Sequence, residues 1–355
     1  MPGTLEDRVV VITGGTGSLG QVLVRRLVSG DRGMPRKVIV FSRDEAKQHA
    51  MRLELRHRPH GTDEAIYHDS ERRIEFRIGD VRDFHAVASV LRTADVVVNA
   101  AALKQVPTCE YVPYEAVQTN IGGAENIVRA IRELRLPVDV VVGVSTDKAC
   151  QPINVMGMTK AIGERVFVAA NLTVPETRFI CVRYGNVLAS TGSVIPLFAD
   201  QVRAGGPLTI TTPEMTRFLL PLERAVDTVL DAIAEARPGE TWVPRVPSAR
   251  IVDVAAAMIG DRPIETTFTG IRPGEKVHEI LVSPEEAGRV RAHGDYLVIE
   301  PMLPELRGSE PSGGGQAGAY SSADELLSLE ATRELLGRHG LLDDAATPTP
   351  ERPPA

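Results

Sequence analysis

The apolar run Val9 to Thr13 ends in G-G-T-G-S-L-G and gives way to Gln21–Val28, where apolar residues recur at helical spacing. Strand, glycine turn and helix in that order leave few folds open. Gly14, Gly15, Gly17 and Gly20 let the backbone approach a pyrophosphate, whose charge then sits at the N-terminus of the next helix. With Thr16, Ser18 and Leu19 between them, they form a candidate dinucleotide turn. Glycine spacing alone is weak evidence. Its place directly after a strand and before a helix is what favours a cofactor over an ordinary tight turn.

The alternation continues along the chain. Val38–Phe41, Ile74–Ile78, Val96–Asn99, Val138–Val144 and Phe179–Val182 are short β-branched runs, separated by helical stretches such as Ala86–Leu91, Tyr114–Leu134 and Thr159–Ala170. The pattern predicts an α/β fold with a parallel, doubly wound sheet of the Rossmann kind over residues 1–186. Residues 187–306 read as a smaller C-terminal lobe, interleaved with the first, that caps the carboxyl edge of the sheet and carries helices at Leu222–Glu235 and Val252–Met258. Residues 307–355 read as a linker at Gly308–Gly318, a helix at Ala323–Leu336 and a proline-rich tail at Ala345–Ala355 expected to be disordered.

Charge narrows the partners. A net charge of -7 and a pI near 5.7 argue against the basic face that nucleic acid or an anionic membrane requires. No apolar run approaches the roughly 20 residues of a membrane helix, and the N-terminus lacks a basic region and cleavage site, so a soluble cytoplasmic protein is expected. Cys109, Cys150 and Cys181 lie in or beside apolar runs, which suits buried thiols rather than disulfides. The eight histidines show no metal-ligand spacing.

Only Lys37, Lys47, Lys104, Lys148, Lys160 and Lys276 among the 40 basic residues are lysine. A lysine kept where arginine is the habit is more often wanted for its amine, which can lose a proton. Two of the six lie in S-T-D-K-A-C-Q-P-I-N-V-M-G-M-T-K, Ser145 to Lys160. There a strand closes with Asp147 beside Lys148, and Met156 stands four residues before Lys160. In nucleotide-cofactor folds that position normally holds a tyrosine that takes an alcohol proton. The chain is therefore an enzyme that works with Asp147 and Lys148, or a cofactor-binding protein without chemistry.

The second strand ends in F-S-R-D, which puts Ser42 and Arg43 where a 2′-phosphate would lie; this favours NADP, while Asp44 keeps NAD possible. Asp80 and Val81 would border the adenine, and Ala100 and Ala101 would let the backbone pass close to the cofactor.

The glycine turn, A-A-A-L-K-Q-V-P, S-T-D-K, V-R-Y-G-N-V and I-R-P-G-E-K occur in that order. With them the chain resembles the extended short-chain dehydrogenase/reductases that dehydrate nucleotide sugars, from about Val9 to Val298. Within that group it is most similar to the soluble UDP-N-acetylglucosamine 4,6-dehydratases of capsule, flagellar-glycan and O-antigen pathways, in the subset with M-x-x-x-K. The resemblance implies a lyase that makes a UDP-4-keto-6-deoxy-hexosamine: C4 is transiently oxidised, C5 loses a proton, water leaves from C6 and the hydride returns there. It implies Asp147 as the C6 acid and Lys148 as the C5 base, with Thr146 hydrogen-bonding the C4 hydroxyl and Lys160 holding the nicotinamide ribose. Lys148 could then lose its proton only if the pocket and nearby Lys160 or cofactor charge lowered its pKa. Asn186, Arg217 and Arg272 would meet the diphosphate, Glu275 the uridine ribose, Val194, Pro196, Pro207 and Thr209 the uracil, and Lys104 the sugar or a phosphate. A homo-oligomer built on the helices Tyr114–Leu134 and Thr159–Ala170 is implied as well. The alternatives are a UDP-hexose 4-epimerase, a 5,6-dehydratase and, from Met156 alone, a non-catalytic NADP-binding regulatory protein.

Overall fold

A computed structural model of the chain describes residues 3–57, 73–188, 193–307 and 318–342. The proline-rich tail and most of the glycine-serine linker lie outside these residues. Among them, nine strands form one sheet in the order β13-β14-β9-β6-β5-β4-β1-β2-β3. Seven run parallel: β1 (Val9–Thr13), β2 (Lys37–Ser42), β3 (Ile74–Ile78), β4 (Val96–Asn99), β5 (Val140–Thr146), β6 (Arg178–Tyr184) and β9 (Thr241–Pro244). The hairpin β13 (Val290–His293) and β14 (Tyr296–Ile299) adds two antiparallel strands at one edge.

The strand runs are β-branched because both sheet faces are covered, so every side chain along them enters a core. Val10, Ile12, Val38, Val40, Val96, Val98, Val140, Val142, Ile180 and Val182 face the helices Ser18–Ser29 and Leu222–Glu235. Val9, Val11, Ile39, Phe41, Val97, Val141, Phe179 and Cys181 face Phe84–Leu91, Gly123–Leu134 and Val155–Thr173. Each such side chain contributes about 1.5–3 kcal/mol by leaving water. The sheet is thus a rigid platform whose carboxyl edge can present chemistry.

Strand order reverses between β1 and β4, where a doubly wound sheet opens a crevice at its carboxyl ends. Beyond β6 the chain adds β7 (Leu208–Ile210), β8 (Thr216–Phe218), β10 (Ser248–Arg250), β11 (Thr266–Phe268) and β12 (Ile280–Val282), which pair outside the main sheet, and it returns β9, β13 and β14 to that sheet. A further core joins the helices Val194–Arg203, Ile251–Ile259 and Leu329–Arg338 through Phe198, Val254, Met258 and Leu336.

Several boundaries differ from the sequence reading. β5 starts at Val140 and carries on through Ser145 and Thr146, because the pairing with β6 extends to Thr146↔Tyr184. Tyr114–Leu134 is broken by a π-helical turn at Val117–Gly122. The Lys160 helix begins at Val155, capped by Asn154, whose side chain accepts from the Gly157 amide at 2.8 Å. The helix expected from Ala323 starts only at Leu329. The residues before it are drawn into tertiary pairing instead, with β15 (Tyr320–Ser321) lying antiparallel to β12 and Leu326 bridging Ser248.

Candidate active site

The glycine turn has the shape a dinucleotide needs. Gly14 has φ +65°, and a Cβ there would lie 2.8 Å from the Ala101 backbone, so β1 and β4 close against each other at the crevice. A Cβ at Gly20 would lie 2.5 Å from Gly15, which packs the helix directly on the turn. Gly17 opens the helix Ser18–Ser29 with no side-chain cap and no acid in the first turn, leaving its amide end suited to an anion. Thr13 Oγ1 donates to Asn99 Oδ1 at 2.7 Å and accepts from the Ala101 amide at 3.2 Å, fixing Ala100 and Ala101 beside the turn.

The region expected to meet the adenosine is more charged than the sequence suggested. Ser42 is buried and its oxygen accepts from Gln48 at 3.1 Å. Arg43 is exposed, with its guanidinium 3.6 Å from Asp80, which also takes two bonds from the Arg82 side chain. Burial would raise the Asp80 pKa, but the Arg82 hydrogen bonds and the charges of Arg82 and Arg43 leave it below the usual carboxylate value. Val81 is buried, and its carbonyl accepts from Asn126 at 2.9 Å.

The acid and the amine meet at the end of β5. Asp147 is fully buried, and its Oδ1 accepts from Thr146 Oγ1 at 2.8 Å and from Lys148 Nζ at 3.1 Å. The same amine lies 3.1 Å from Asn186 Oδ1 and 3.2 Å from Glu279 Oε1. Arg217 Nε is 3.9 Å from that Glu279 oxygen, and its Nη1 donates to the Thr216 and Val277 carbonyls. Asp147 Oδ2 and Glu279 Oε2 are buried with no hydrogen-bond partner among the described residues. Burial alone would lower the Lys148 pKa. The charges of Asp147 and Glu279 outweigh it and raise the value, with Arg217 pulling the other way.

The pocket and Lys160 therefore do not supply the lowered pKa expected as the condition for Lys148 to act as a base. Lys160 is the amine that burial pushes down, against the raising charge of Glu164, and it donates to the Val144 carbonyl. Two carboxylates hold the first amine charged, whereas the second faces a neutral acceptor.

Met156 is sealed in a small apolar cluster with Cys109 and Ala116, against Leu103, Val106 and Val155. It fills the tyrosine position with packing. Gly157, next in the chain, lets the helix sit on the Lys148 backbone, since a Cβ there would lie 2.1 Å from the Lys148 carbonyl oxygen.

Of the substrate-side residues, Asn186 and Arg217 join the Lys148 cluster. Thr209 lies elsewhere, on β7, with its polar atoms committed to Gln201 at 2.8 and 3.1 Å. Val194 opens the helix Val194–Arg203, and Pro207 leads into β7. Glu275 accepts from Thr211 at 3.5 Å, while Arg272 and Lys104 are exposed.

Three arrangements escaped the sequence reading. Glu279 is one. Asn120 is another, accepting from the Leu103 amide at 2.9 Å and donating to Thr159 at 2.9 Å, which ties the β4 loop to the Lys160 helix. The third is Arg183, buried between Glu164 and Glu286 with bonds of 2.7–3.1 Å. The Asn154 side-chain Nδ2 also donates to the Gly274 carbonyl at 2.7 Å, locking the R-P-G-E turn to the start of that helix. The three cysteines are buried and free, and no cluster of metal-ligating side chains occurs among the described residues. No helix there is long and apolar enough to cross a membrane.

Known proteins are similar to this chain over most of its length. A UDP-glucose 4-epimerase from Rickettsia conorii is 44% identical over 301 residues, covering 83% of each chain. The structure of Pen from Bacillus thuringiensis is 33% identical with a TM-score of 0.84, over 95% of this chain and 99% of that one. DesIV from Streptomyces venezuelae, a dTDP-glucose 4,6-dehydratase solved with NAD, shares the fold at 21% identity and a TM-score of 0.63, over 76% and 86%. The mostly parallel, doubly wound sheet with helices on both faces is the fold that this structure shares. The model of the polysaccharide biosynthesis protein family matches residues 10–301, and the chain belongs to that family.

Proposed function

We propose that this nucleotide-sugar-modifying enzyme dehydrates UDP-N-acetylglucosamine to a UDP-4-keto-6-deoxy-hexosamine. The observation that carries the reading is the contact of 3.1 Å between the Lys148 amine and Asp147. Elimination of water needs an acid for the leaving hydroxyl and a base for the proton beside the ketone. Moving one proton from Lys148 to Asp147 turns the resting ion pair into that acid and that base with no change in net charge. Thr146, bonded to Asp147 Oδ1, places a hydroxyl at the same point for the C4 hydroxyl of the sugar. Met156 cannot move a proton, so the work rests on this pair.

The turn from Gly14 to Gly20, Arg43, Asp80, Val81, Ala100, Ala101 and Lys160 would hold a nicotinamide dinucleotide, which when bound supplies a reversible hydride acceptor. Arg43 supports NADP, Ser42 being turned inward onto Gln48. Denaturing the purified protein and identifying the released nucleotide tests this; NAD alone would reverse the preference. Asn186 and Arg217 would meet the diphosphate, with Arg272, Glu275, Val194, Pro207, Thr209 and Lys104 serving the rest of the UDP-sugar. The exposed Tyr114, Val117, Met158 and Ile162 support a homo-oligomer through their helices, which light scattering checks.

A 4-epimerase is the second reading, favoured by the name of the Rickettsia relative. It leaves Lys148 without a task, because inversion at C4 needs no base at C5. Proton NMR of UDP-N-acetylglucosamine with the enzyme in deuterated water separates the two. A C6 methyl signal with deuterium at C5 is expected, whereas a C4 epimer would overturn the proposal. No product at all would favour the non-catalytic reading.

A further inference from the structure

We propose that Glu279 is a positioning residue for Lys148: its carboxylate pins the amine at the end of β5 and holds it as an ammonium ion in the substrate-free protein. The groups that face the amine are few. Asp147 lies on its own segment, Glu279 comes from the segment leading into β12, Asn186 follows β6, and Arg217 on β8 reaches the cluster through Glu279. Asn186 is neutral, so the charge on Lys148 is balanced by two carboxylates, one of them shared with Arg217.

Glu279 is built into this position. It is 2% exposed. Its amide donates to Ser322 Oγ at 2.9 Å, and its carbonyl accepts from the Ser322 amide at 2.8 Å. Ser322 is itself bonded to Thr216 at 2.7 Å, and Thr216 to His278 Nδ1 at 2.8 Å, so the backbone at Glu279 is fixed from both sides. One carboxylate oxygen meets the amine and the other is buried without a partner among the described residues. Burying a carboxylate in this way is costly unless a cation answers it, and Lys148 is the nearer of its two cations.

The consequence concerns when the proton leaves. An opposite charge at this range favours the charged amine by about 1–3 pH units. Removing the Glu279 charge therefore lowers the pH at which the Asp147–Lys148 pair gives up its shared proton. The titration part of this inference stands without the dehydration reading; the rate part rests on it.

The experiment uses the full chain labelled with 13C at lysine Cε. Its six lysines give six signals, with Lys148 assigned by its loss in Lys148→Arg. In the wild type the Lys148 signal is expected to titrate above the ordinary lysine value of about 10.4; a value below the other lysines would overturn the inference even if Glu279→Gln does not fold. Glu279→Gln should move the titration midpoint down by about 1–3 pH units, and Glu279→Asp should restore most of it. An unchanged titration in Glu279→Gln would overturn the proposal. In the dehydration assay the alkaline limb of the rate should move to lower pH together with the titration, so that the rate at pH 9 relative to that at pH 7 falls by up to about tenfold. A displaced titration with an unmoved alkaline limb would support the role of Glu279 and overturn Lys148 as the base.

Discussion

Two half-buried amines twelve positions apart meet opposite surroundings. Lys148 ends a strand among Asp147, Glu279 and Asn186, and its pKa rises although burial opposes it. Lys160 sits inside a helix against the Val144 carbonyl, and burial lowers its pKa. Burial is common to both, so counter-charges decide which amine stays charged. The lesson extends to Arg183, buried more deeply than either and raised because Glu164 and Glu286 overcome its desolvation.

The sharpest break of this contrast is Lys148→Ala, which should lower dehydration by roughly 10²–10⁴-fold. Product formation followed by NMR checks it; a near wild-type rate would remove Lys148 from the chemistry. Next in size is stability. Lys148→Met leaves two buried carboxylates unanswered and should cost about 3–5 kcal/mol in denaturant unfolding at pH 7, whereas a change under about 1 kcal/mol would mean the cluster is not an ion pair. Gly157→Ala tests the seat of the Lys160 helix on Lys148. With its Cβ 2.1 Å from a carbonyl oxygen, it should destabilise by about 1–3 kcal/mol and lower activity as the helix moves.

The smallest effect is on alkaline stability. For Lys160 the folded pKa is lowered, so the unfolded chain binds more protons between that value and about 10.4, and stability rises with pH there. For Lys148 the folded value is raised. Its contribution is fully present below about 10.4 and is lost as pH rises through the folded value. Lys160→Met should flatten the rise and Lys148→Met the loss, each by about 1.4 kcal/mol for every tenfold difference in proton affinity between the folded and unfolded chain. If both variants change the profile in the same sense, the contrast is wrong.

Much of the platform was legible in the residues. The glycine turn, the strand runs and the Asp147–Lys148 pair are local patterns, and local patterns are what spacing reports. Glu279 was not legible because it reaches Lys148 across more than a hundred residues, and nothing in V-H-E-I marks one glutamate for burial. The clue available was its nearness to the R-P-G-E-K motif. Asn120 looked like any polar residue in a helical stretch, and only the π-turn aims it at Leu103. The helix expected from Ala323 is shortened to Leu329 for a related reason, since the pairing of Tyr320–Ser321 with β12 and the bridge from Leu326 to Ser248 hold the chain ahead of it, and those partners lie far away in sequence.

That pairing has a consequence for the order of synthesis. Ser322 closes the hydrogen bonds around Glu279, yet it is translated after every other residue of the charge cluster. A nascent chain that has emerged only as far as the linker carries the dinucleotide turn, Asp147, Lys148 and Glu279 without the strand that fixes the last of them. The charge cluster is thereby completed only once translation has passed Ser322, and a product cut short before Tyr320 would retain the glycine turn while lacking a settled Glu279.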